Sequence, residues 1–245
     1  MGVPRIHCDL RLGPGAQFAL DADAAQHVAK ALRLKTGDAI VVFDGRGGEY
    51  DASLTRVERE RVDVKVGPVR EPGRESPLEV GLVQGLPEAD KMDWIIQKAT
   101  ELGVGWIQPV TCERSVVRLS AERAARREAH WRRVAIAAAE QSGRTRIPDV
   151  RPTLGFMSWI AAPAEIPRWM LDPSAAPITS QPPVTAPMEL LVGPEGGFAE
   201  RERELLASRG AIGVSLGPRV LRTETAAIVA MSAIHALWGD FRPDA

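Results

Sequence analysis

Along the first seventy residues, apolar and polar positions alternate with the period of two that is typical of half-exposed strands. Val62, Val64 and Val66 are the clearest case, because polar residues stand between them. Asp44-Gly45 and Gly47-Gly48 supply the residues of a hairpin turn between two such stretches. The pattern predicts a small, mostly antiparallel β domain with one short amphipathic helix. Its predicted elements are a helix at Asp21–Leu34 and strands at Asp38–Asp44, Glu49–Val57 and Arg61–Val66.

From Leu78 onward the pattern changes, after a Gly- and Pro-containing stretch at Gly67–Pro77 that predicts a linker. Continuous apolar runs now alternate with segments whose apolar residues recur at helical spacing. This alternation predicts a parallel sheet with helices on both faces. The predicted strands are Leu78–Leu86, Val104–Val110, Arg168–Leu171, Met188–Val192 and Gly210–Leu216, and the predicted helices are Lys91–Leu102, Ala121–Gln141, Glu200–Ser208 and Thr223–Trp238.

Composition narrows the class of protein. The chain has 245 residues, of which 44% are hydrophobic and 26% are charged, so it has enough apolar surface for a core. Two cysteines and four scattered histidines supply neither a disulfide framework nor a zinc motif. The longest apolar stretch, Ala226–Ile234, is too short for a membrane span, and the first residues lack a secretory signal. We expect a cytoplasmic protein without a metal and without a membrane partner.

Charge is uneven along the chain although the net charge is only −1. Residues 111–151 hold ten arginines against five acidic residues, an arrangement that suits contact with phosphate. The alternative is a solvated helix face on which Glu122, Glu128 and Glu140 pair with arginines. Charge alone favours this alternative.

Two segments follow predicted strands at the sheet edge where open α/β folds bind ligands. The first, Gly193-Pro194-Glu195-Gly196-Gly197-Phe198, is neither a dinucleotide fingerprint nor a phosphate-binding loop of the Walker type. Its glycines permit a ligand to lie against the backbone. A tight turn between strand and helix explains them equally well.

The second segment, Leu216–Ala226, carries Arg219 and Arg222 just before a predicted helix. Thr223 is the expected N-cap, and Glu224 lies favourably in the first turn. The two arginines have no such structural explanation, because a helix N-terminus favours anions. A negative partner, such as RNA phosphate or an anionic base, would resolve this conflict.

With these two segments, "LLVGPEGGF" and "LGPRVLRTETA", the sequence resembles the SPOUT methyltransferases that methylate uridine N3 in bacterial 16S rRNA. Five further stretches resemble the same family in the same order along the chain. They are "PRIH" (4–7), "HVAKALRLKTGD" (27–38), "KMDWIIQKATELGV" (91–104), "ERSVVRL" (113–119) and "AAEQSGRTRIP" (138–148).

The resemblance implies an α/β fold in two domains. Residues 1–70 are expected to form a PUA-like RNA-binding β-barrel and residues 71–77 a linker. Residues 78–245 are expected to form the SPOUT methyltransferase domain, with a parallel sheet and a C-terminal trefoil knot. The family implies S-adenosylmethionine as methyl donor, no metal, a homodimer, and the 16S rRNA of the small ribosomal subunit as substrate.

The resemblance also implies roles for individual residues. Arg222 or Arg219 is expected to stabilise the charge that develops on the uracil oxygens, and Glu224 is the nearest candidate to accept the N3 proton. The loops expected to hold the cofactor supply Leu171, Val192, Gly193, Pro194, Gly197, Leu216, Gly217, Val220, Leu221 and Thr223. The residues expected to contact RNA are Arg5, Arg33, Lys35, Arg114, Arg118 and Arg144.

Three other functions compete with this interpretation. The nearest is a SPOUT enzyme that acts on another RNA position, a ribose 2′-OH or a tRNA guanine. A non-catalytic RNA-binding module is disfavoured, because binding RNA alone needs no cofactor loops. A Rossmann dehydrogenase is disfavoured by the absence of GxGxxG.

Overall fold

The computed structural model describes residues 3–88, 90–117, 120–163, 165–184 and 187–242. The chain divides into two compact units, which are described separately. Unit 1 comprises Met1–Glu75 together with Ala139–Ile147, and unit 2 comprises Ser76–Ala138 together with Pro148–Ala245. The sequence prediction ended the first domain at residue 70 and placed residues 139–147 in the second, whereas the structure includes this segment in unit 1.

Unit 1 is built on a five-stranded sheet in the order β1-β3-β4-β5-β2. β1 runs parallel to β3, and all other neighbours are antiparallel. The inward side chains of the strands, such as Ile6, Leu54 and Val64, form its own apolar core. The small, mostly antiparallel β domain is thus confirmed. Its elements are β1 (Arg5–His7), β2 (Gln17–Ala19), α1 (Ala22–Gln26), β3 (Ala39–Phe43), β4 (Glu49–Val57) and β5 (Val62–Arg70).

The helix predicted at Asp21–Leu34 is shorter and less regular than expected. Its α-helical part ends at Gln26 and continues as one π-helical turn, His27–Ala31. The N–H of Leu32 donates to the carbonyl of His27, the five-residue spacing of a π turn. Arg33 then adopts a left-handed φ of +54°, which ends the helix. The strand predicted at Arg61–Val66 is longer than expected, because β5 continues to Arg70.

The segment Ala139–Ile147 belongs to unit 1 because its backbone pairs with the β3–β4 turn. The N–H of Gly47 donates to the carbonyl of Thr145 at 3.1 Å, and the N–H of Ile147 donates to the carbonyl of Gly45 at 3.3 Å. A Cβ at Gly45 would stand 2.8 Å from the Ile147 side chain, so only glycine fits there. Neither contact is visible from hydrophobic periodicity, because the partners lie about a hundred residues apart.

Unit 2 contains a seven-stranded sheet whose main path runs β12-β10-β11-β6-β7-β8, with β9 paired to β7. Every pair is parallel. Its elements are β6 (Val80–Gly85), α2 (Lys91–Glu101), β7 (Trp106–Thr111), α3 (Ala121–Ser142, whose last turn belongs to unit 1), β8 (Asp149–Val150), β9 (Leu154–Gly155), α4 (Phe156–Ala161), β10 (Arg168–Leu171), a 3-10 turn (Ile178–Ser180), β11 (Met188–Val192), α5 (Glu200–Ser208), β12 (Ile212–Val214) and α6 (Thr223–Trp238).

The central strands of unit 2, which are β6, β7, β10 and β11, are buried on both faces, as the continuous apolar runs predicted. On β6, Leu82 joins a cluster that includes Ile95 of α2 and Met231 of α6. The next residue, Val83, joins the opposite cluster, which includes Phe156 of α4 and Leu206 of α5. The parallel sheet with helices on both faces is therefore confirmed. Within the described ranges, every helix is too short or too polar to cross a bilayer.

Candidate active site

A cavity of about 260 Å³ lies in unit 2 at the carboxyl ends of β10, β11 and β12. These strands are neighbours, with β10 in the middle, so the loops that follow them converge at one edge of the sheet. The walls come from residues 171–173, 192–198 and 214–223, except Pro218 and Arg222, and from Ala226. The volume is near the lower end of the range for small-molecule sites.

The ten residues that the family resemblance assigns to cofactor binding are all part of the wall of this one cavity. They come from three loops separated by up to fifty residues, which the sheet topology brings together. They are Leu171, Val192, Gly193, Pro194, Gly197, Leu216, Gly217, Val220, Leu221 and Thr223. The structure therefore places them together, and their contact with a cofactor is proposed below.

Three glycines let the backbone itself form the cavity wall. A Cβ at Gly193 would stand 2.8 Å from the nitrogen of Phe198, so this position accepts no larger residue. Gly197 and Gly217 have φ values of +67° and +99°, and a Cβ on either meets nothing within 4 Å. These two residues therefore need glycine for their conformation and leave open space beside the backbone. A ligand in that space can approach peptide N–H and C=O groups directly.

A buried polar chain fixes the start of α6 beneath the loop after β11. Gln84 of β6 is fully buried and donates its Nε2 to Thr223 Oγ1 at 2.9 Å. The Thr223 hydroxyl in turn donates to the carbonyl of Gly193 at 2.6 Å. The prediction that Thr223 is the N-cap was wrong, because Arg222 is the N-cap and Thr223 is the first helical residue. Gln84 was missed, although a lone amide in an apolar strand is a signal for such a contact.

Glu195, in the middle of the glycine-rich loop, ties that loop to the beginning of α2. Its Oε1 accepts from the ammonium group of Lys91 at 2.7 Å and from the N–H of Glu88 at 3.0 Å. Burial alone would raise the pKa of Glu195, but Lys91 and the backbone donor outweigh it, so this pKa is lowered. The same contact raises the pKa of Lys91. Sequence reasoning did not find Lys91, because its partner lies 104 residues away.

The three residues expected to act on the substrate are placed differently. Arg219 lines the cavity, whereas Arg222 is exposed at the N-cap of α6 and lies outside the cavity lining. Neither guanidinium forms an ion pair with another residue in the described part of the chain. Glu224, one residue into α6 from Thr223, has a buried Oε2 with no hydrogen-bond partner among the described residues. The structure therefore places Arg219 in the cavity wall. Arg222 and Glu224 are sequence neighbours of the lining residue Thr223 but do not line the cavity themselves.

Two of the six residues expected to contact RNA have hydrogen-bond and ion-pair partners within unit 1. The Arg5 guanidinium is paired with Glu49, which is 2% exposed, and donates to the carbonyl of Arg144 at 2.6 Å. Arg144 is itself 6% exposed and forms an ion pair with Glu75 at 2.8 Å. Burial is the main cause that lowers the pKa of Arg5 to about 10. Both guanidinium groups are thus engaged within unit 1, and their contact with RNA stays a prediction.

The other expected RNA contacts are exposed where the structure describes them. Arg33 and Lys35 stand on the surface of unit 1, after the π-helical turn. Arg114 is exposed in unit 2 and donates its Nη1 to the carbonyl of Gly196 at 2.9 Å, so it reaches the glycine-rich loop. Arg118 lies outside the described residues.

No group of three or more possible metal ligands occurs in the described ranges. The two thiols are buried, and burial raises the pKa of Cys8 to about 12 and that of Cys112 still further above its ordinary value. A raised pKa disfavours the thiolate, which is the form that attacks electrophiles and binds metals. Both cysteines therefore act as small buried side chains.

Comparison with known protein families gives matches to both units. Residues 74–235 match the RNA methyltransferase domain family, and residues 20–67 match the RNA methyltransferase PUA domain family. Among curated proteins, the chain is 34% identical to ribosomal RNA small subunit methyltransferase E of Bacillus subtilis, with 89% of each chain covered. It is 32% identical to the protein of the same name from Mycobacterium tuberculosis, with 91% of this chain and 87% of that protein covered.

Solved structures agree with these matches. A putative methyltransferase from Legionella pneumophila, in complex with the bound cofactor SAM, superposes with a TM-score of 0.94 at 36% identity. A ribosomal RNA small subunit methyltransferase E from Neisseria gonorrhoeae bound to S-adenosyl methionine superposes with a TM-score of 0.92 at 35% identity. Each comparison covers 98% of this chain and 100% of the other.

Proposed function

This chain belongs to the ribosomal RNA small subunit methyltransferase E family, and from that membership we propose that it transfers a methyl group from S-adenosylmethionine to N3 of a uridine in 16S rRNA. The enzyme class, an rRNA methyltransferase, follows from the family itself. Three details are our proposal: which atom of the RNA receives the methyl group, where the methyl donor binds, and which residues act in the reaction.

The observation that carries the proposal is the cavity at the ends of β10, β11 and β12. It is lined by two glycine loops whose backbone is open to a ligand, and by apolar side chains such as Leu216 and Leu221. An adenosyl group and a methionyl tail suit such a wall, because both are bound largely by backbone groups and apolar contact. The solved relatives from Legionella and Neisseria hold this cofactor.

The residues of this cavity fit the cofactor, and we assign its binding to the ten lining residues named above. When bound, S-adenosylmethionine supplies an electrophilic methyl group on a sulfonium sulfur. The chain's contribution is to hold the acceptor atom in line and at contact distance, an effect worth up to about 7–11 kcal/mol. The rigid contacts of Gly193 with Thr223 and of Glu195 with Lys91 serve this purpose, because they fix two of the three loops.

Uridine N3 must lose its proton before it can accept a methyl group, and the negative charge then spreads to the carbonyl oxygens. Arg219 stands in the cavity wall without an ion-pair partner among the described residues, and its guanidinium can stabilise this charge. Arg222, at the N-cap of α6, is the second candidate. Glu224 is the candidate proton acceptor, since one of its oxygens is buried without a hydrogen-bond partner in the described chain.

The remaining properties that the resemblance implies are part of the same proposal. We infer a homodimer whose interface lies near the cavity, supported by Val220, which lines the cavity and is 84% exposed in the single chain. We infer a trefoil knot near the C-terminus from the family to which the chain belongs. We infer action in the cytoplasm, where small ribosomal subunits are assembled.

One experiment tests the reaction. The purified protein is incubated with a labelled methyl donor and with small ribosomal subunits that lack the modification, and the methylated nucleotide is mapped by mass spectrometry. We expect label at N3 of a single uridine of 16S rRNA. Label on a ribose or on tRNA guanine would support the alternative SPOUT activity. Absence of label, with intact cofactor binding shown by calorimetry, would support a non-catalytic RNA-binding module.

A further inference from the structure

Two arginines face each other in unit 1 where residues 139–147 pair with the β3–β4 turn. Arg46 and Arg146 form an isolated antiparallel bridge. The hydrogen bonds from Gly47 to Thr145 and from Ile147 to Gly45 flank the two arginines and do not join them directly. This is the non-hydrogen-bonded type of antiparallel pair, in which Cα atoms are about 4.5 Å apart and the side chains are closest.

Like charges directly opposite each other destabilise a strand pair, and no carboxylate of the described residues forms an ion pair with either arginine. Both arginines are exposed. The nearby carboxylates bind backbone instead. Asp44 accepts from the N–H of Arg46 at 3.1 Å, and Glu75 accepts from the N–H of Arg146 at 3.0 Å.

The carboxylates around the pair are engaged by other groups, so the two exposed guanidinium groups keep their charge. The single buried carboxylate of Glu49 is shared by Arg5, Arg70 and Arg74. The local set has six guanidinium groups against five carboxylates. The guanidinium groups belong to Arg5, Arg46, Arg70, Arg74, Arg144 and Arg146, and the carboxylates to Asp44, Glu49, Asp51, Glu75 and Glu140.

The backbone near this pair is shaped to hold one of the arginines. Gly47 has a φ of +125°, and a Cβ there would stand 3.5 Å from Nε of Arg146. The Arg146 guanidinium thus lies over a residue without a side chain, next to the position of Arg46. A phosphate group between the two guanidinium groups would convert their repulsion into two attractive contacts, and guanidinium binds phosphate in a bidentate manner.

We propose that Arg46 and Arg146 form a clamp for a phosphate of the RNA backbone. The clamp rests on the proposed function, since it takes the RNA substrate as its ligand. It lies in the same part of unit 1 as Arg5 and Arg144, whose guanidinium groups already pair with Glu49 and Glu75. Such a contact positions RNA without reading its sequence.

The test is the charge reversal Arg46→Glu, which puts opposite charges across the strand pair. A clamp predicts two opposite changes: the melting temperature rises, because a repulsive pair becomes attractive, and the affinity for a 16S rRNA transcript falls. The neutral variants Arg46→Gln and Arg146→Gln should each reduce the slope of log affinity against log salt by about one. S-adenosylmethionine affinity, measured by calorimetry, should stay at the wild-type value in all of them.

The matched control is Arg59→Glu, which makes the same change in net charge on the same unit. Arg59 is exposed in the turn at the far end of the β4–β5 hairpin, about 30 Å away along the nine residues of β4. If Arg46→Glu weakens RNA binding no more than Arg59→Glu does, the clamp is wrong. A fall in melting temperature together with lost RNA affinity also contradicts it, because it indicates general damage to the fold.

Wild-type measurements separate the clamp from the proposed function. If the wild-type protein methylates 16S rRNA and Arg46→Glu does so with unchanged KM for RNA, the clamp fails and the function stands. If the wild-type protein neither binds nor methylates 16S rRNA, the proposed function fails, and the clamp fails with it.

Discussion

A substitution of Gly197 has two effects that can be measured separately: strain in the backbone and loss of space for a ligand. Its left-handed φ strains any larger residue by about 1–3 kcal/mol, and its missing Cβ points into open space beside the cavity. We expect Gly197→Val to abolish binding of S-adenosylmethionine, as measured by calorimetry, because the side chain occupies the space where the ligand approaches the backbone.

Gly210 provides the matched control for that substitution. It has a φ of +81°, a Cβ there also meets nothing within 4 Å, and it does not line the cavity. Gly210→Val should therefore lower the melting temperature about as much as Gly197→Val while cofactor binding persists. Wild-type affinity in Gly197→Val would contradict the assignment of the cavity.

Arg219 and Arg222 are expected to affect chemistry more than cofactor binding. Replacing a group that stabilises developing charge typically lowers turnover about 100-fold, and we expect this loss for Arg219→Ala because Arg219 lines the cavity. Arg222→Ala should also lower turnover far more than cofactor affinity. Single-turnover kinetics on small-subunit RNA measure this, with Arg209→Ala, an exposed arginine after α5, as control. Unchanged single-turnover rates in both variants would exclude the charge-stabilising role.

The sequence reveals residues whose signal is local and misses those whose partners are distant. Gly193 and Gly197 are visible because a glycine-rich stretch follows a buried strand. Lys91 looks like an ordinary helix residue, and only the fold brings Glu195 to it. The charge of Arg5 is visible in the sequence, whereas its pairing with the buried Glu49 is not.

At the scale of elements, the start of α2 acts as a support for the glycine-rich loop through Lys91 and Glu195. We expect Lys91→Met to raise the Kd for S-adenosylmethionine severalfold, because the loop loses one of its anchors, with a smaller effect on turnover at saturating cofactor. Lys91→Arg should restore most of the affinity. Calorimetry and steady-state kinetics measure the two effects.

The same helix carries the control for this substitution. Lys98 and Glu101 pair at 2.8 Å with nearly the same exposure as Lys91 and Glu195, but neither of them lines the cavity. Lys98→Met should leave cofactor affinity unchanged. An equal loss of affinity in both variants would show that α2 responds to any lost charge, and would contradict a specific role of Lys91.

The pH dependence of this contact follows from the directions of the two pKa shifts. The pKa of Glu195 is lowered from 4.5, so its contribution to loop stability is present above pH 4.5 and is lost as pH falls through the lowered value. The pKa of Lys91 is raised from 10.5, so its contribution is present below pH 10.5 and is lost above the raised value. The difference in affinity between wild type and Lys91→Met should therefore be constant from pH 6 to 9.

Elements with a continuous buried run or an amphipathic repeat could be predicted closely, and strands of two or three residues could not. β10, β11, α5 and α6 have the predicted bounds, because buried runs and amphipathic repeats specify them locally. Strands of two or three residues, such as β8 and β9, carry too few positions to show a period. The π-helical turn at His27–Ala31 was also missed, since α and π turns differ in spacing by a single residue.

At the scale of the whole molecule, unit 1 is discontinuous in sequence, and this has a consequence for its stability. Without residues 139–147, the N–H of His7 loses Glu140, the N–H of Gly47 loses a carbonyl, and Glu75 loses the Arg144 guanidinium. A buried polar group left without a partner costs about 1–3 kcal/mol. Domains of this size have little stability to spare.

We therefore expect a fragment of residues 1–75 to be largely unfolded at 25 °C, and a fusion that appends residues 139–147 through a flexible Gly-Ser linker to be folded. The dispersion of amide signals in NMR spectra and the cooperativity of thermal unfolding measure the difference. A fusion that carries Arg144→Ala should lose most of the gain, because Glu75 again lacks its partner. If residues 1–75 alone unfold cooperatively at the melting temperature of the fusion, the β domain does not need residues 139–147 for its stability, and the prediction is wrong.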